Sequence, residues 1–161
     1  MKIDQKIILF GLLIFLLDAC SKSEINLEGT EDYVIFGHFF GECQGESCVE
    51  TYLIKDEKLF EDETDPYAGG TIDHHWKWNQ LTDEKYVLAK DIFDIIPSTL
   101  LESENQTFGM PDAGDWGGIL LEVKRDGEVG RWLLDLNETT TPEPYYEVSR
   151  EIFEIIEKIN K

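Results

Sequence analysis

His38, Cys43, Cys48 and the adjacent pair His74 and His75 carry the strongest donor chemistry in the chain. Neutral imidazole and thiolate together suit zinc or copper(I). The spacing is loose for that purpose, because structural zinc sites draw on two knuckles of closely spaced ligands and this sequence offers one cysteine pair. On a strand, His74 and His75 point to opposite faces, so only one of them would join the set. A second cation chemistry, calcium, is suggested by oxygen-rich Glu61-Asp62-Glu63-Thr64-Asp65 and Asp112-Ala113-Gly114-Asp115. Neither run follows the twelve-residue calcium loop with glycine at its sixth place. A solvated acidic face is the simpler reading.

For hydrolysis the sequence lacks a Gly-x-Ser-x-Gly elbow, a His-Glu-x-x-His helix and a phosphate-cradling glycine loop. His38 or His74 would work with Asp112 or Asp115 only if the fold joined them. Nothing in the sequence calls for a cofactor. Trp76, Trp78 and Tyr67 offer aromatic faces for stacking on sugars or cations, or apolar area for the core. Asp112, Asp115 and Trp116 fall within the longest stretch without a clear period, residues 98–116, and mark a candidate recognition loop. The sequons at Asn105 and Asn137 matter only in a eukaryotic secretory setting.

The N-terminus carries a different signal. Lys2 and Lys6 precede an apolar run, Ile7 to Leu17, that ends in Leu17-Asp18-Ala19-Cys20. As a helix this run spans roughly 16 Å, about half of a bilayer's hydrocarbon core, which fits a signal-peptide core better than a membrane span. The segment resembles the leader of bacterial prolipoproteins, with Leu17, Ala19 and Cys20 in the family's positions and Asp18 where a small or hydroxyl residue is usual. The resemblance implies removal of residues 1–19, acylation of Cys20 and attachment to a membrane of the cell envelope. Ser21 after the lipidated cysteine is similar to the outer-membrane sorting pattern. With Cys20 on the lipid, Cys43 and Cys48 remain as an even pair, and an oxidising envelope favours their disulfide. Such a short ring contributes ~2 kcal/mol at most by loop entropy, and fixes a loop more than a fold.

Charge narrows the partners. The formal net charge is −20, and the leader's two lysines and two aspartates cancel, so the remainder is equally acidic. That field repels phosphate backbones and anionic head groups, which excludes nucleic acid and leaves the lipid as the expected membrane contact. Basic partners, an envelope protein or a small ligand stay open. The chain is 42% hydrophobic, enough for one core.

Elements to position these residues follow from periodicity. Residues 20–31 read as a flexible tether and 32–161 as a single domain. Tyr33–Phe40 reads as a central strand buried on both faces, Cys48–Lys55 as its antiparallel neighbour, Asp56-Glu57 as a turn, and Lys58–Phe60 as a short third strand. Thr71–Trp78 alternates like an edge strand. Thr82 caps an expected helix running to about Ile96, stopped by Pro97. Gly118–Leu136 reads as a hairpin turning at Asp126-Gly127, which sets Glu122 opposite Arg131 and Leu121 opposite Trp132. The last helix is expected from Thr141-Pro142-Glu143 onward, with an apolar stripe of Tyr145, Val148, Ile152, Ile155, Ile156 and Ile159. The predicted fold is α+β: an antiparallel sheet of about five to six strands with two helices on one face, in the order β-β-β-β-α-β-β-α. The Gly41-Glu42-Cys43 opening, Cys48 and the late hairpin also look like those of uncharacterised envelope-lipoprotein domains, a likeness that brings no activity.

Overall fold

The computed structural model describes residues 25–69, 75–104 and 106–161. Cys20, the leader and His74 lie outside the described residues. The chain forms strands β1 (Tyr33–Phe39), β2 (Val49–Lys55), β3 (Lys58–Asp62) and β4 (Trp78–Gln80), then helices α1 (Asp83–Ala89), α2 (Ile92–Ile95) and α3 (Ser98–Leu101). Strands β5 (Thr107–Phe108), β6 (Gly118–Arg125) and β7 (Glu128–Asp135) and helix α4 (Tyr145–Ile159) complete it. The architecture is α+β around a seven-stranded sheet in the order β4-β3-β2-β1-β6-β7-β5.

β1 is the centre. Its sequence, YVIFGHF, is aromatic and β-branched at nearly every position, and all of it is buried, as expected for a strand packed on both faces. It pairs antiparallel with β2 on one side and with β6 on the other. Val34, Phe36, Tyr52, Ile54, Ile119, Leu121, Val123, Trp132 and Leu134 share one face of the sheet, and α4 lays Val148, Ile152, Ile156 and Ile159 against it. Ala89, Ile92, Ile96 and Leu100 extend that core. The opposite face carries Tyr33, Ile35, Phe39, Val49, Leu53 and Leu120, and among the described residues its cover is non-helical chain, with Ile25, Leu27, Ala68, Trp76 and Trp78 packed on it. Trp76 and Trp78 stack at 5.2 Å between centroids and serve as cover for this second core.

The hairpin register is the one that Asp126-Gly127 dictates, with Glu122 opposite Arg131 and Leu121 opposite Trp132. Positive φ at both turn residues (53° and 84°) matches the two-residue turn that follows the strands' twist. Tyr33 Oη donates to Glu122 Oε1 at 2.8 Å, and Arg131 Nη1 stands 3.6 Å from Glu122 Oε2.

Five expectations need correction. The sheet is mixed, because β5 lies parallel to β7, an element of two residues too short to show a period. The helix expected from Thr82 to Ile96 is two: Asp91 takes φ −92°, ψ 11°, outside helical geometry, and Ile96 is extended ahead of Pro97. The edge strand expected at Thr71–Trp78 forms instead at Trp78–Gln80, with Thr71–His74 outside the described residues. Residues 25–31 do not hang free as a tether: Lys124 Nζ donates to the Leu27 and Gly29 carbonyls, Lys55 Nζ pairs with Glu31 at 2.7 Å, and Ile25 and Leu27 pack on the second core. The last helix begins at Tyr145 rather than Thr141, with Thr141 buried at its approach.

Gly37 gives a test of how tightly β1 is held. A Cβ there would fall on the Glu50 carbonyl oxygen and within 2.8 Å of Thr51 Oγ1. Gly37→Ala should therefore destabilise the protein by about 1–3 kcal/mol, read as a lowered urea midpoint at unchanged slope. An unshifted midpoint would show that β1 and β2 are looser than described.

Candidate functional site

The sheet has two distinct ends. The tight turns at 56–57 and 126–127 make the hairpin end; the connections 40–48, 109–117 and 136–144, with residues 63–69 and 75–77, gather at the other, the loop end. β1 runs from the first to the second. Past Phe39 the chain bends away from the sheet: Phe40 N donates to the Cys48 carbonyl at 2.9 Å, and the excursion between them is closed by a Cys43–Cys48 disulfide. His38, buried on the helix-covered face between Phe40 and Phe153, contacts the Ser47 carbonyl through Nε2 at 3.1 Å. That acceptor assigns the ring proton to Nε2 and leaves Nδ1 buried without a partner. Burial holds the His38 pKa below the usual histidine range, so the ring is neutral at pH 7.

Asp112 ties the loop end together. Its Oδ2 accepts from Gly41 N at 2.8 Å and from Tyr67 Oη at 2.7 Å, and its Oδ1 accepts from Gly117 N at 3.2 Å. One carboxylate thus fastens three connections: the cysteine loop, the segment after β3 and the 109–117 loop. Only an acceptor-only side chain with several lone pairs can serve three donors at once. The loop itself is bent hard, with Gly109, Asp112, Gly114, Asp115 and Gly117 all at positive φ. At its base, Met110 N donates to Asp135 Oδ2 at 2.9 Å, and the buried Asp135 also receives Asn137 N and Thr140 Oγ1. Burial and the bond to Asp112 push Tyr67 up to about 12.

What this frame presents to solvent is apolar. Trp116 is 63% exposed, Met110 59% and Tyr67 44%. Tyr67 rests edge-on against Phe39, and Phe40 packs against Gly117, so the patch is continuous with the sheet's end.

The sequence-derived candidates are therefore sorted by the fold. Asp112 and Trp116 belong to one rigid loop beside the cysteine loop. Asp115 stands exposed near its tip and is not brought to His38, whose ring is enclosed by Phe40, Phe153 and Ser47. The described members of the metal set are not brought together: the disulfide takes both sulfurs, His38 is engaged with Ser47, and His75 is exposed before β4, while His74 lies outside the described residues. Among the described residues no group of three or more His, Cys, Asp or Glu side chains converges to hold a metal.

One titrating group escapes sequence reading. Glu50 and Tyr52 face the helix side of β2, and the β2–β3 register puts Glu61 opposite Tyr52. Tyr52 Oη reaches Glu50 Oε2 at 3.0 Å and also contacts Asn160 Oδ1 at the end of α4. Burial, with Glu61 and Asp65 nearby, raises Glu50 to about 7, so it holds a proton near neutrality. The available signal was a glutamate sharing a strand face with Tyr52 and Ile54. Its neighbours, however, come from another strand.

No family model and no curated protein matches the chain.

Glu50 binds its proton more tightly in the folded than in the unfolded chain, so its contribution to stability is full below pH 4.5 and is lost as pH rises through about 7. His38 acts in the opposite direction, because its folded pKa is lowered: stability is lost as pH falls below about 6.5. Glu50→Gln should then gain thermal stability over the parent at pH 8 and little at pH 5. Equal differences at both pH values would refute the assignment.

Proposed function

We propose that this chain is a lipid-anchored protein of the bacterial cell envelope, held at a membrane through Cys20, whose loop end recognises an envelope protein or a small ligand. The reading rests above all on Trp116 and Met110, large apolar side chains standing in solvent on a loop locked by the Asp112 hydrogen bonds. Exposed apolar groups on a rigid frame suit a partner's surface, since little order is lost when they are covered.

The leader, the disulfide and the acidic surface agree with an oxidising envelope compartment. Ser21 favours the outer membrane as the destination. Cys20 lies five residues before Ile25, a reach of at most about 18 Å. Because residues 27–31 are fastened at the hairpin end by Lys124 and Lys55, an anchored domain would direct its loop end away from the bilayer. Among the described residues no helix is long and apolar enough to cross a membrane.

Cys20→Ser in a bacterial host should leave the precursor uncut and abolish incorporation of labelled palmitate; unchanged maturation and labelling would overturn the anchor. For recognition, the test is Trp116→Ala in a pull-down from envelope extracts. Partners lost by this variant, with an unchanged unfolding midpoint, support the loop end as the binding surface, while full retention of every partner refutes it.

A further inference from the structure

We infer that the loop end selects a cationic partner, an extended protein segment bearing arginine or lysine, with Trp116 as the ring that receives the cation. This rests on the recognition reading above and names its chemistry.

The first ground is charge. The four connections at the loop end carry carboxylates throughout, Glu42, Asp65, Asp115 and Glu138 among them, and a single basic residue, Lys77. Lys77 is already paired with Glu63 at 2.6 Å. In the sheet, Lys55, Lys58, Lys124 and Arg125 lie at the hairpin end, and Arg150, near Asp135 at the start of α4, is paired with Glu154. In a chain of net charge −20, the apolar patch therefore lies in a field that draws cations and repels anions.

The second ground is hydrogen-bonding capacity. Asp112, the natural polar contact in the patch, is spent on Gly41, Tyr67 and Gly117, and Tyr67 Oη gives its proton to Asp112. Exposed carboxylates such as Glu42 and Asp115 flank the patch and only accept. Apart from the Trp116 indole N–H, these side chains offer acceptors and ring faces, a set poorly matched to a sugar, which must both donate and accept. It complements ammonium and guanidinium groups, which only donate and which bind the negative face of an indole.

The probe is hexa-arginine, titrated into the full-length protein in neutral detergent micelles, with hexaglycine and a neutral oligosaccharide as comparisons. Hexa-arginine should bind, weaken as salt is added, and lose roughly threefold to fivefold in affinity with Trp116→Ala. The pair E42Q/D115N should weaken it further, whereas E57Q/E128Q, the same charge change at the hairpin end, should leave affinity within about twofold, a distinction that general attraction to an acidic protein would not produce. Unchanged urea midpoints establish that each variant folds. The inference is overturned if Trp116→Ala binds hexa-arginine as the parent does, or if the hairpin-end pair costs as much as the loop-end pair. Salt-independent binding of the oligosaccharide or hexaglycine through Trp116 would overturn the cation preference and leave the recognition edge standing.

Discussion

The constraint that organises this molecule is a central strand with no solvent-facing side. β1 is hydrogen-bonded along both edges and buried on both faces, so every other part of the chain has to help cover it. One face receives α4, whose apolar stripe is wide enough to span β1, β6 and β7. The other receives irregular chain, and irregular chain needs its backbone groups satisfied where it meets the sheet. Lys124 does part of this by donating to the Leu27 and Gly29 carbonyls, and Lys55 does the same for the Glu31 carboxylate. These two lysines flank Tyr33 on the same cross-strand row. Their burial is a consequence of covering a sheet face with coil.

Legibility in the sequence followed the range of the interactions involved. The β6–β7 hairpin could be placed to the residue because Asp126-Gly127 sets the register locally and Glu122, Arg131, Leu121 and Trp132 agree with it. β1, β2 and the apolar stripe of α4 were equally plain, since burial imprints a period on neighbouring residues. The break at Asp91 was hidden by an apolar spacing, Leu88, Ala89, Ile92 and Ile96, that continues through it although the backbone does not. β5 has only two residues and owes its existence to β7. The same division holds for the candidate site. Cys43, Cys48, Asp112 and Trp116 announce themselves by type and loop context, but the three donors on Asp112 come from positions 41, 67 and 117. Glu50 was invisible as a titrating group because Glu61 and Asp65 approach it from other elements.

The two ends of the sheet have been given different work by composition. At the hairpin end, turns are short and basic side chains are used to fasten coil to sheet. At the loop end, long connections are held by carboxylates acting as acceptors for backbone N–H and side-chain hydroxyl groups, Asp112 across three connections and Asp135 beneath them. Using acids as fasteners consumes their hydrogen-bonding capacity while leaving a negative field, which is the electrostatic setting of Trp116.

The placement of β1 also decides how the molecule would bear a load. The chain ahead of Tyr33 enters at the hairpin end, and the loops beyond Phe39 lie at the other. A pull between the N-terminal segment and a partner held at the loop end would run lengthwise along β1 and set it sliding between β2 and β6. The hydrogen bonds of both ladders stand across that direction and would have to give way together in shear, rather than singly as in a strand peeled from an edge. A domain strung in this way between a membrane and its partner would resist tension through its best-buried strand.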